Sequence, residues 1–314
     1  MKILVTGGAG FIASHIADRY IEKGHSVVVL DNLSSGKREY VHPKAVFYQC
    51  DIRKYEEVER VISCEKPEII NHHAAQISVR KSVEDPPFDA EVNLVGLLNL
   101  LEAGRKNGLK KVVFASSGGV VYGDAQVLPT PEDYTPLQPL SPYGVAKLAS
   151  EYYLFFYKRT YGISFVALRY GNVYGPRQNP HGEAGVVAIF SKKLIKGESP
   201  TINGDGKQTR DYVYVEDVVH ANVLALASSA EGAFNIGTGQ ESNVLTIFST
   251  LKDILKSSLT PIHGPAKQGE QKRSCLNNSK AKKQIKWTPQ FTLQDGLERT
   301  VDYFKTESNS QNEK

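Results

Sequence analysis

Residues 1–31 read MKILVTGGAGFIASHIADRYIEKGHSVVVLD, and this stretch decides the fold. The first apolar run, Lys2–Thr6, has the β-branched composition of a buried strand, and Ser26–Leu30 has the same composition. From Phe11 onward the apolar residues change to a helical spacing. The glycine-rich turn Gly7–Gly10 joins the first strand to this helix. The stretch therefore predicts a strand, a tight turn, a helix and a second strand.

The turn and the residue that ends the second strand predict a dinucleotide site. Gly7 makes the turn, and Gly10 lets the backbone approach a pyrophosphate at the N-terminus of the helix, where free N–H groups and the positive dipole end lie. Ala13 takes the third small position, where the helix packs close to the strand. Asp31 ends the second strand, and a carboxylate there accepts hydrogen bonds from ribose hydroxyls and repels a 2′-phosphate. The expected cofactor is therefore NAD rather than NADP.

The composition is that of an ordinary globular protein. The 314 residues, 40% of them hydrophobic and 23% charged, suffice for one large α/β unit or two lobes. The net charge of +4 comes without a long basic run, so nucleic acid is not indicated. No apolar run approaches the roughly 20 residues of a membrane-spanning helix, so no membrane partner is expected. The odd number and wide spacing of Cys50, Cys64 and Cys275 favour a reducing compartment.

Strands and helices alternate through Tyr170, which predicts a doubly wound parallel sheet of the Rossmann type with helices on both faces. We expect residues 1–176 to form the NAD-binding domain, with residues 211–239 returning to it. Residues 177–210 and 240–305 are expected to form a smaller C-terminal lobe that binds substrate at the cleft. The polar segment 306–314 is expected to be a disordered tail.

Several local patterns add site predictions. Asp51 and Ile52 end the third strand at the edge where ligands bind, so they are expected to flank the adenine. Asn93 falls among the apolar positions of a helix predicted over 89–107, and its amide needs a partner: either a hydrogen bond near the cofactor or a tie from the helix to a loop. Asp217 is expected to cap a helix over 218–227. The neighbours His72 and His73 should point to opposite faces of a strand, so no metal is predicted.

The helix predicted over 142–161 carries the candidate chemistry. Tyr143 and Lys147 stand one turn apart on the same face. A phenol with a pKa near 10 is a weak base at neutral pH, and a cation within about 4–6 Å lowers that pKa by roughly 1–3 pH units. Tyr143 is therefore a candidate proton acceptor and donor, tuned by Lys147, which would also hold the nicotinamide ribose. Ser117 ends a neighbouring strand, where its hydroxyl would bridge Tyr143 and the substrate oxygen.

Eight motifs resemble the extended short-chain dehydrogenase/reductase family, and within it the NAD-dependent nucleotide-sugar epimerases and dehydratases. They are VTGGAGFI (5–12), DNLSSG (31–36), HAAQ (73–76), SSGGVVYG (116–123), SPYGVAK (141–147), LRYGNVYGPR (168–177), GDGKQTRDYVYVEDV (204–218) and FNIGTG (234–239). The resemblance is strongest to the UDP-glucose (UDP-galactose) 4-epimerases. It implies an isomerase of carbohydrate metabolism that is cytoplasmic and a homodimer built on helices 89–107 and 142–161.

The resemblance also implies a mechanism. NAD stays bound while Tyr143 takes the proton from the sugar 4-hydroxyl and C4 gives hydride to the nicotinamide. The 4-keto sugar then turns over, and hydride returns to its other face. Asn172 is implied to contact the diphosphate that anchors the sugar, and Arg210 to pair with it. An Arg beside Asp211 suits bidentate phosphate binding on chemical grounds also, with a structural pair to Asp211 as the alternative.

The expected site residues are these. The catalytic residues are Ser117, Tyr143 and Lys147. The cofactor-binding residues are Gly7, Gly10, Phe11, Ile12, Asp31, Asn32, Ser34, Ser35, Gly36, Asp51, Ile52, His73, Ala74, Ala75, Gln76, Asn93, Ser116, Tyr143, Lys147, Tyr170 and Val173. The substrate-binding residues are Ser117, Gly118, Gly119, Tyr143, Asn172, Gly185, Val186, Val187, Thr201, Ile202, Asn203, Arg210, Glu270, Lys272 and Arg273.

Departures from the family pattern define the alternatives. Gly118 and Gly119 stand where sugar-nucleotide dehydratases carry an Asp-Glu pair and decarboxylases usually carry a Glu, so those reactions are less favoured than epimerisation. Ser274 stands where epimerases restricted to plain sugars often have Tyr, so interconversion of UDP-GlcNAc and UDP-GalNAc is an alternative. A nucleotide sensor without turnover would usually lack the Tyr or the Lys. Either Lys272 or Arg273 is expected to face the diphosphate, and Asn277 replaces the usual Asp.

Overall fold

The computed structural model describes residues 1–180, 185–266 and 271–312. Its strands are β1 (Lys2–Thr6), β2 (Ser26–Asp31), β3 (Val46–Gln49), β4 (Ile69–His72), β5 (Lys111–Ser117), β6 (Ser164–Tyr170), β7 (Asn172–Tyr174), β8 (Thr201–Asn203), β9 (Thr209–Arg210), β10 (Tyr212–Tyr214), β11 (Gly232–Ile236), β12 (Ser242–Asn243) and β13 (Ile262–Gly264). Its helices are α1 (Phe11–Glu22), α2 (Tyr55–Glu65), α3 (Val79–Glu84), α4 (Pro86–Ala90), α5 (Gly96–Lys106), α6 (Gly118–Val121), α7 (Pro142–Tyr161), α8 (Val186–Ile195), α9 (Val215–Ala227), α10 (Val244–Leu255), α11 (Ser279–Gln284) and α12 (Leu293–Asn312).

A seven-stranded parallel sheet forms the centre of the protein, in the order β11-β6-β5-β4-β1-β2-β3. The residues Ile3, Leu4 and Val5 of β1 are fully buried because helices cover both faces of the sheet. The strand order reverses between β1 and β4, and in such sheets ligands bind at the carboxyl ends of the strands beside that reversal. The predicted doubly wound Rossmann sheet is confirmed.

The helices divide between the two faces of the sheet. Helices α2, α5 and α7 contribute to the apolar core on one face, and α1 and α9 contribute to it on the other. The chain leaves the central sheet after β6 and returns to it at β11, which pairs in parallel with β6. No helix in the described part of the chain is long and apolar enough to cross a lipid bilayer.

A smaller apolar core lies beyond the sheet. Helices α8, α10 and α12 pack there around aromatic and aliphatic side chains such as Phe190, Phe248 and Leu251. Three two-stranded sheets join this region to the rest of the chain: β7 with β10, β9 with β12, and β8 with β13. Of the residues predicted to bind the substrate, Asn172, the segment Thr201–Asn203 and Arg210 lie on these short strands.

Two predicted helix details are wrong. The helix α9 begins at Val215, so Asp217 lies inside its first turn, where its carboxylate accepts hydrogen bonds from the N–H groups of Gln290 and Phe291. The helix predicted over 89–107 begins at Pro86 and contains a π-helical segment, Glu91–Val95. The wider π turn rotates the buried face, because each of its hydrogen bonds spans one residue more than in an α-helix.

That rotation has a visible result in the core. Val95 is exposed, whereas Gly96, Leu97 and Leu100 are buried. The expectation of a disordered tail from residue 306 is also wrong as far as Asn312, because α12 continues to that residue. An ion pair of 2.6 Å between Lys192 and Glu307 joins this last part of the helix to α8.

Candidate active site

The glycine turn after β1 is shaped by a close backbone contact. Gly7 has a φ of +68°, and a β carbon on it would lie 2.8 Å from the amide nitrogen of Ala74, just beyond β4. The hydroxyl of Thr6 accepts hydrogen bonds from the N–H groups of His73 and Ala74, both at 3.2 Å. Gly10, the residue before α1, has no side chain to cap the helix. The turn thus presents backbone N–H groups at a helix N-terminus, which is the donor set that a pyrophosphate needs.

Asp31 lies at the end of β2 beside that turn. It is 8% exposed, and its two carboxylate oxygens accept hydrogen bonds from the N–H groups of Ala9 at 3.0 Å and Leu33 at 2.8 Å. Burial raises the pKa of this carboxyl, and the two backbone N–H groups oppose the rise. Each oxygen can still accept a second hydrogen bond. Asp31 and the glycine turn together fit the adenosine ribose and pyrophosphate of NAD.

The other residues predicted near the adenosine lie around the same edge of the sheet. Asp51 forms an ion pair of 2.7 Å with Arg53, whose guanidinium lowers the pKa of the carboxyl. The amide of Asn32 closes its own turn by accepting from Ser34 N at 3.0 Å. A β carbon on Gly36 would lie 2.9 Å from the backbone of Ala9, so only glycine lets this loop pass over the phosphate turn.

Tyr143 and Lys147 lie together on α7, as predicted. Lys147 is 4% exposed, its Nζ donates a 2.8 Å hydrogen bond to the carbonyl of Ala115, and it lies 5.7 Å from the centre of the Tyr143 ring. Burial lowers the pKa of Lys147 to about 8, with Asp89 and Glu151 opposing it. Tyr143 is half-buried, and burial raises the pKa of its phenol, with a further rise from Asp89. We expected Lys147 to lower the pKa of Tyr143. The structure does not show this, because desolvation of the phenolate raises that pKa.

Ser117 and Asn172 face one open space at the ends of β5 and β7. The position of a β carbon on Gly119 is 3.8 Å from the Ser117 hydroxyl and 4.0 Å from the Asn172 side-chain oxygen. The N–H of Asn172 donates a 2.7 Å hydrogen bond to the carbonyl of Asp211, which holds β7 against the neighbouring segment. The structure therefore brings a predicted catalytic residue and a predicted diphosphate residue to the same opening.

The side chain of Asn93 ties the helix to the loop after β4. Its oxygen accepts from Gln76 N at 3.0 Å, and its nitrogen donates to Gln76 O at 3.0 Å and to Asp89 Oδ1 at 2.9 Å. Of the two expectations for Asn93, the tie to a loop is the one that the structure shows. Asn93 therefore holds the loop residue Gln76 in place.

Ser116 and Tyr170 also use their side chains within the protein. The Ser116 hydroxyl donates a 2.6 Å hydrogen bond to Glu151, which also forms a buried ion pair with Arg169. The Tyr170 hydroxyl lies 3.1 Å from His73 Nε2. Burial lowers the pKa of His73 to about 3, so the ring is neutral. The hydroxyl groups of Ser116 and Tyr170 therefore already have partners within the protein.

A β-bridge pairs Thr209 with Arg273 beside the smaller core. Both of these side chains bind Glu241, with Arg273 Nε at 3.0 Å from its carboxylate. Lys272 is exposed at a bend just before this bridge. The guanidinium of Arg210 donates to the carbonyl of Thr209 at 2.8 Å.

The carboxylate of Asp211 binds backbone groups from two segments that are distant from it in the chain. Its carboxylate accepts hydrogen bonds from the N–H groups of Thr238, Gly239 and Leu276, at 2.7 to 3.1 Å, and from the Thr238 hydroxyl at 2.7 Å. This buried carboxylate therefore organises the turn after β11 and the start of the segment that follows Arg273.

The residues predicted around the nucleotide base are only partly available to a ligand. Val187 and Ile202 are 1% exposed and pack in the smaller core, so contact through their side chains is excluded because other apolar residues surround them. Gly185 precedes α8, and Thr201 and Asn203 are partly or fully exposed on β8. Glu270 lies outside the described residues.

Two buried carboxylates were not predicted as site residues. Glu151 follows Lys147 by four residues, and Asp89 precedes Asn93 by four residues. The signal in each case is the helical i, i+4 spacing from a predicted site residue. Within residues 1–180, 185–266 and 271–312, no group of three or more His, Cys, Asp or Glu side chains is placed to hold a metal ion.

Comparisons with known proteins agree with this site. The sequence model of the NAD dependent epimerase/dehydratase family matches residues 3–237. UDP-glucose 4-epimerase of Mycolicibacterium smegmatis is 46% identical over 98% of this chain and 100% of its own length. The structure of UDP-glucose 4-epimerase with UDP-glucose from Thermotoga maritima has a TM-score of 0.96 at 49% identity, covering 98% of this chain and 100% of that one. The Thermus thermophilus UDP-glucose 4-epimerase complex with NAD has a TM-score of 0.92 at 46% identity, covering 97% and 99%.

Proposed function

The chain belongs to the NAD-dependent epimerase/dehydratase family, and we propose that it interconverts UDP-glucose and UDP-galactose by epimerisation at C4, through a transient 4-keto sugar. The observation that carries the proposal is the placement of Tyr143, Lys147 and Ser117 at the carboxyl edge of a sheet whose β1–α1 turn and Asp31 fit NAD. Near-identical folds with UDP-glucose and with NAD support it.

The site residues have the following roles in the proposed epimerisation. Bound NAD supplies a hydride acceptor and donor for the sugar C4. Tyr143 acts as the phenolate: it takes the proton from the 4-hydroxyl, becomes the neutral phenol and later returns the proton, and Ser117 donates a hydrogen bond to the sugar oxygen. Lys147 stays cationic within reach of the Tyr143 ring, so it stabilises the phenolate by electrostatic attraction. Asn172 contacts the diphosphate at the opening that it shares with Ser117.

Position 118 argues against elimination of water. Removing water from a sugar needs further acid and base groups near C5 and C6. The β carbon that Gly118 lacks would lie 2.5 Å from Leu276 Cδ1, so the protein has no room there for a carboxylate side chain. Epimerisation at C4 needs no such group, and Gly118 and Gly119 leave the sugar free to turn.

The cation that faces the diphosphate beside Arg210 is, in our proposal, Lys272. The guanidinium of Arg273 is paired with Glu241, so we assign the role to Lys272, which is exposed at the neighbouring bend. A K272A variant is expected to raise the KM for UDP-galactose more than R273A does.

Ser274 favours a second substrate pair. It is 5% exposed and small, at the position where the resemblance places a bulky Tyr in enzymes restricted to plain sugars. A small residue leaves room for an N-acetyl group, so we propose that UDP-GlcNAc and UDP-GalNAc are also interconverted.

We further propose a homodimer in the cytoplasm. Helix α7 exposes an unusual set of large apolar side chains, Val145, Tyr152, Tyr153, Phe155, Phe156 and Tyr161. Such a patch marks an interface, because burying it against a second copy removes apolar surface from water. The three free cysteines support a reducing compartment.

The function is tested by product analysis. Purified protein with NAD is incubated with UDP-galactose, and UDP-glucose is quantified; a panel of UDP, dTDP and GDP sugars sets the specificity. Conversion of UDP-galactose supports the proposal. Absence of turnover with every nucleotide sugar, while NAD remains bound, would identify a nucleotide sensor instead.

A further inference from the structure

The buried residue Asp211 joins two parts of the proposed substrate site. It follows Arg210 in the chain and is 1% exposed. Its backbone carbonyl accepts a 2.7 Å hydrogen bond from the N–H of Asn172, and a β carbon on Gly171 would lie 2.6 Å from the same oxygen. The main chain of Asp211 therefore fixes Asn172 and Arg210, the two residues implied to hold the diphosphate, relative to each other.

The side chain of Asp211 reaches the second part, a segment of residues 272–277 that we call the strap. Its carboxylate Oδ2 accepts a 3.1 Å hydrogen bond from the N–H of Leu276. The strap carries Lys272, proposed to face the diphosphate, and Ser274, proposed to lie beside the sugar. Asp211 is therefore hydrogen-bonded to both parts of the site: to β7 through its carbonyl and to the strap through its carboxylate.

The turn after β11 completes the surroundings of this carboxylate. Oδ1 accepts hydrogen bonds from the N–H and the hydroxyl of Thr238, both at 2.7 Å, and Oδ2 accepts another from the N–H of Gly239 at 3.0 Å. A β carbon on Gly237 would lie 2.5 Å from Oδ2, so the lack of a side chain there lets the carboxylate approach the turn. Both oxygens thus accept from donors, which suits a carboxylate better than an amide.

The strap is also bonded to a different part of the chain. The N–H of Thr130 donates to the carbonyl of Cys275 at 2.8 Å, and the N–H of Asn277 donates to the carbonyl of Thr130 at 2.9 Å. These bonds join the strap to the segment between α6 and α7, whereas Asp211 joins it to the strands β7 and β9. Loss of the carboxylate is therefore expected to loosen the strap relative to the diphosphate residues without detaching it.

We propose that Asp211 is a positioning residue for the nucleotide sugar: its carboxylate fixes the strap relative to the diphosphate residues Asn172 and Arg210. The place of Lys272 and Ser274 in the site then depends on this one side chain. Because Asp211 is buried, it acts on the substrate through these residues. The inference rests on the proposed function, which assigns the four residues to the nucleotide sugar.

The test variant is Asp211→Ala, which removes both acceptor oxygens. Asp217→Ala is the matched control, because Asp217 is also 1% exposed and its carboxylate also accepts hydrogen bonds from backbone N–H groups of a distant segment, those of Gln290 and Phe291. Asp211→Asn is the milder second variant if Asp211→Ala does not fold. In either orientation of its amide, at least one backbone N–H loses its acceptor, because the NH₂ group faces Thr238 or the donors on the other side.

The first readout needs no substrate. Hydrogen–deuterium exchange is measured by mass spectrometry on the NAD-loaded protein, in peptides that cover the strap and the turn 237–239. Exchange there is expected to be about tenfold faster in Asp211→Ala than in wild type and unchanged in Asp217→Ala, because the N–H groups lose their acceptor. Unchanged exchange in both peptides of a folded Asp211 variant overturns the proposal.

The second readout is the Kd for UDP, measured by isothermal titration calorimetry, together with KM and kcat for UDP-galactose. Asp211→Ala is expected to raise Kd and KM about tenfold relative to Asp217→Ala, since losing hydrogen bonds to a charged group usually costs at least that factor. The kcat and the NAD content should change little, because binding is lost equally in the ground state and the transition state.

Equal effects of the two alanine variants on Kd and KM would mean a general structural role and would overturn the proposal. Wild type that neither binds UDP nor converts UDP-galactose would refute the proposed function, while the exchange measurement would still decide whether Asp211 fixes the strap.

Discussion

The Cδ1 atom of Leu276 lies 2.5 Å from the position that a β carbon on Gly118 would occupy. Leu276 is 1% exposed and packs with Val121 and Tyr122, so it has little freedom to move aside. The start of α6 and the segment after Arg273 are therefore in direct contact.

The first prediction follows from this contact. Gly118→Ala is expected to lower the free energy of unfolding by about 1–3 kcal/mol, the usual cost of an added methyl group in a packed core. The measurement is urea unfolding. Gly119→Ala is the control, because its nearest neighbours would be ordinary contacts at 3.8 and 4.0 Å. Equal stabilities of the two variants would contradict the packing argument.

Removal of the Tyr143 hydroxyl tests the proton transfer. Tyr143→Phe is expected to keep NAD bound and to lose at least about a hundredfold in kcat, as expected when a general base is lost. The measurements are the NAD content of the purified protein and the rate on UDP-galactose. Tyr152→Phe on the exposed face of the same helix should keep the wild-type rate. A Tyr143→Phe rate within threefold or so of wild type would exclude Tyr143 as the base.

Position 274 tests the room beside the sugar. Ser274→Tyr is expected to lower kcat/KM for UDP-GlcNAc and UDP-GalNAc by about tenfold or more relative to UDP-glucose and UDP-galactose, because the ring fills the space for the N-acetyl group. The ratio of the two substrate pairs corrects for any general damage. Equal losses on both pairs would show that Ser274 does not face the sugar C2.

The pH dependence of stability has a contribution from Asp217. Burial raises the pKa of its carboxyl to about 6, above the usual 3.8. The folded state then binds a proton more tightly than the unfolded state, so this group adds stability as the pH falls from about 6 to about 4. Urea unfolding of wild type and Asp217→Asn at these pH values should show the wild-type advantage growing toward the lower pH. A constant difference would mean that Asp217 titrates normally.

Much of this protein could be predicted because the signals are local. The apolar run of β1, the glycine turn, Asp31 and the Tyr143–Lys147 spacing depend on residues close in the chain. The predicted bounds of α7 agree with the structure to the residue. These patterns reflect backbone freedom and helical periodicity, which neighbouring residues determine.

The remaining features depend on contacts between distant residues, and only the tertiary structure decided them. The pKa of Tyr143 is raised because folding buries the phenol, and Asp217 binds Gln290 and Phe291 instead of capping a helix. The side-chain amide of Asn93 is hydrogen-bonded to Gln76, and Leu276 fills the space beside Gly118. The sequence by itself determined the sheet, the glycine turn after β1 and the placement of Tyr143 and Lys147 on one helix. Folding determined the charge and packing around them, since desolvation and steric contact depend on which side chains come together in space.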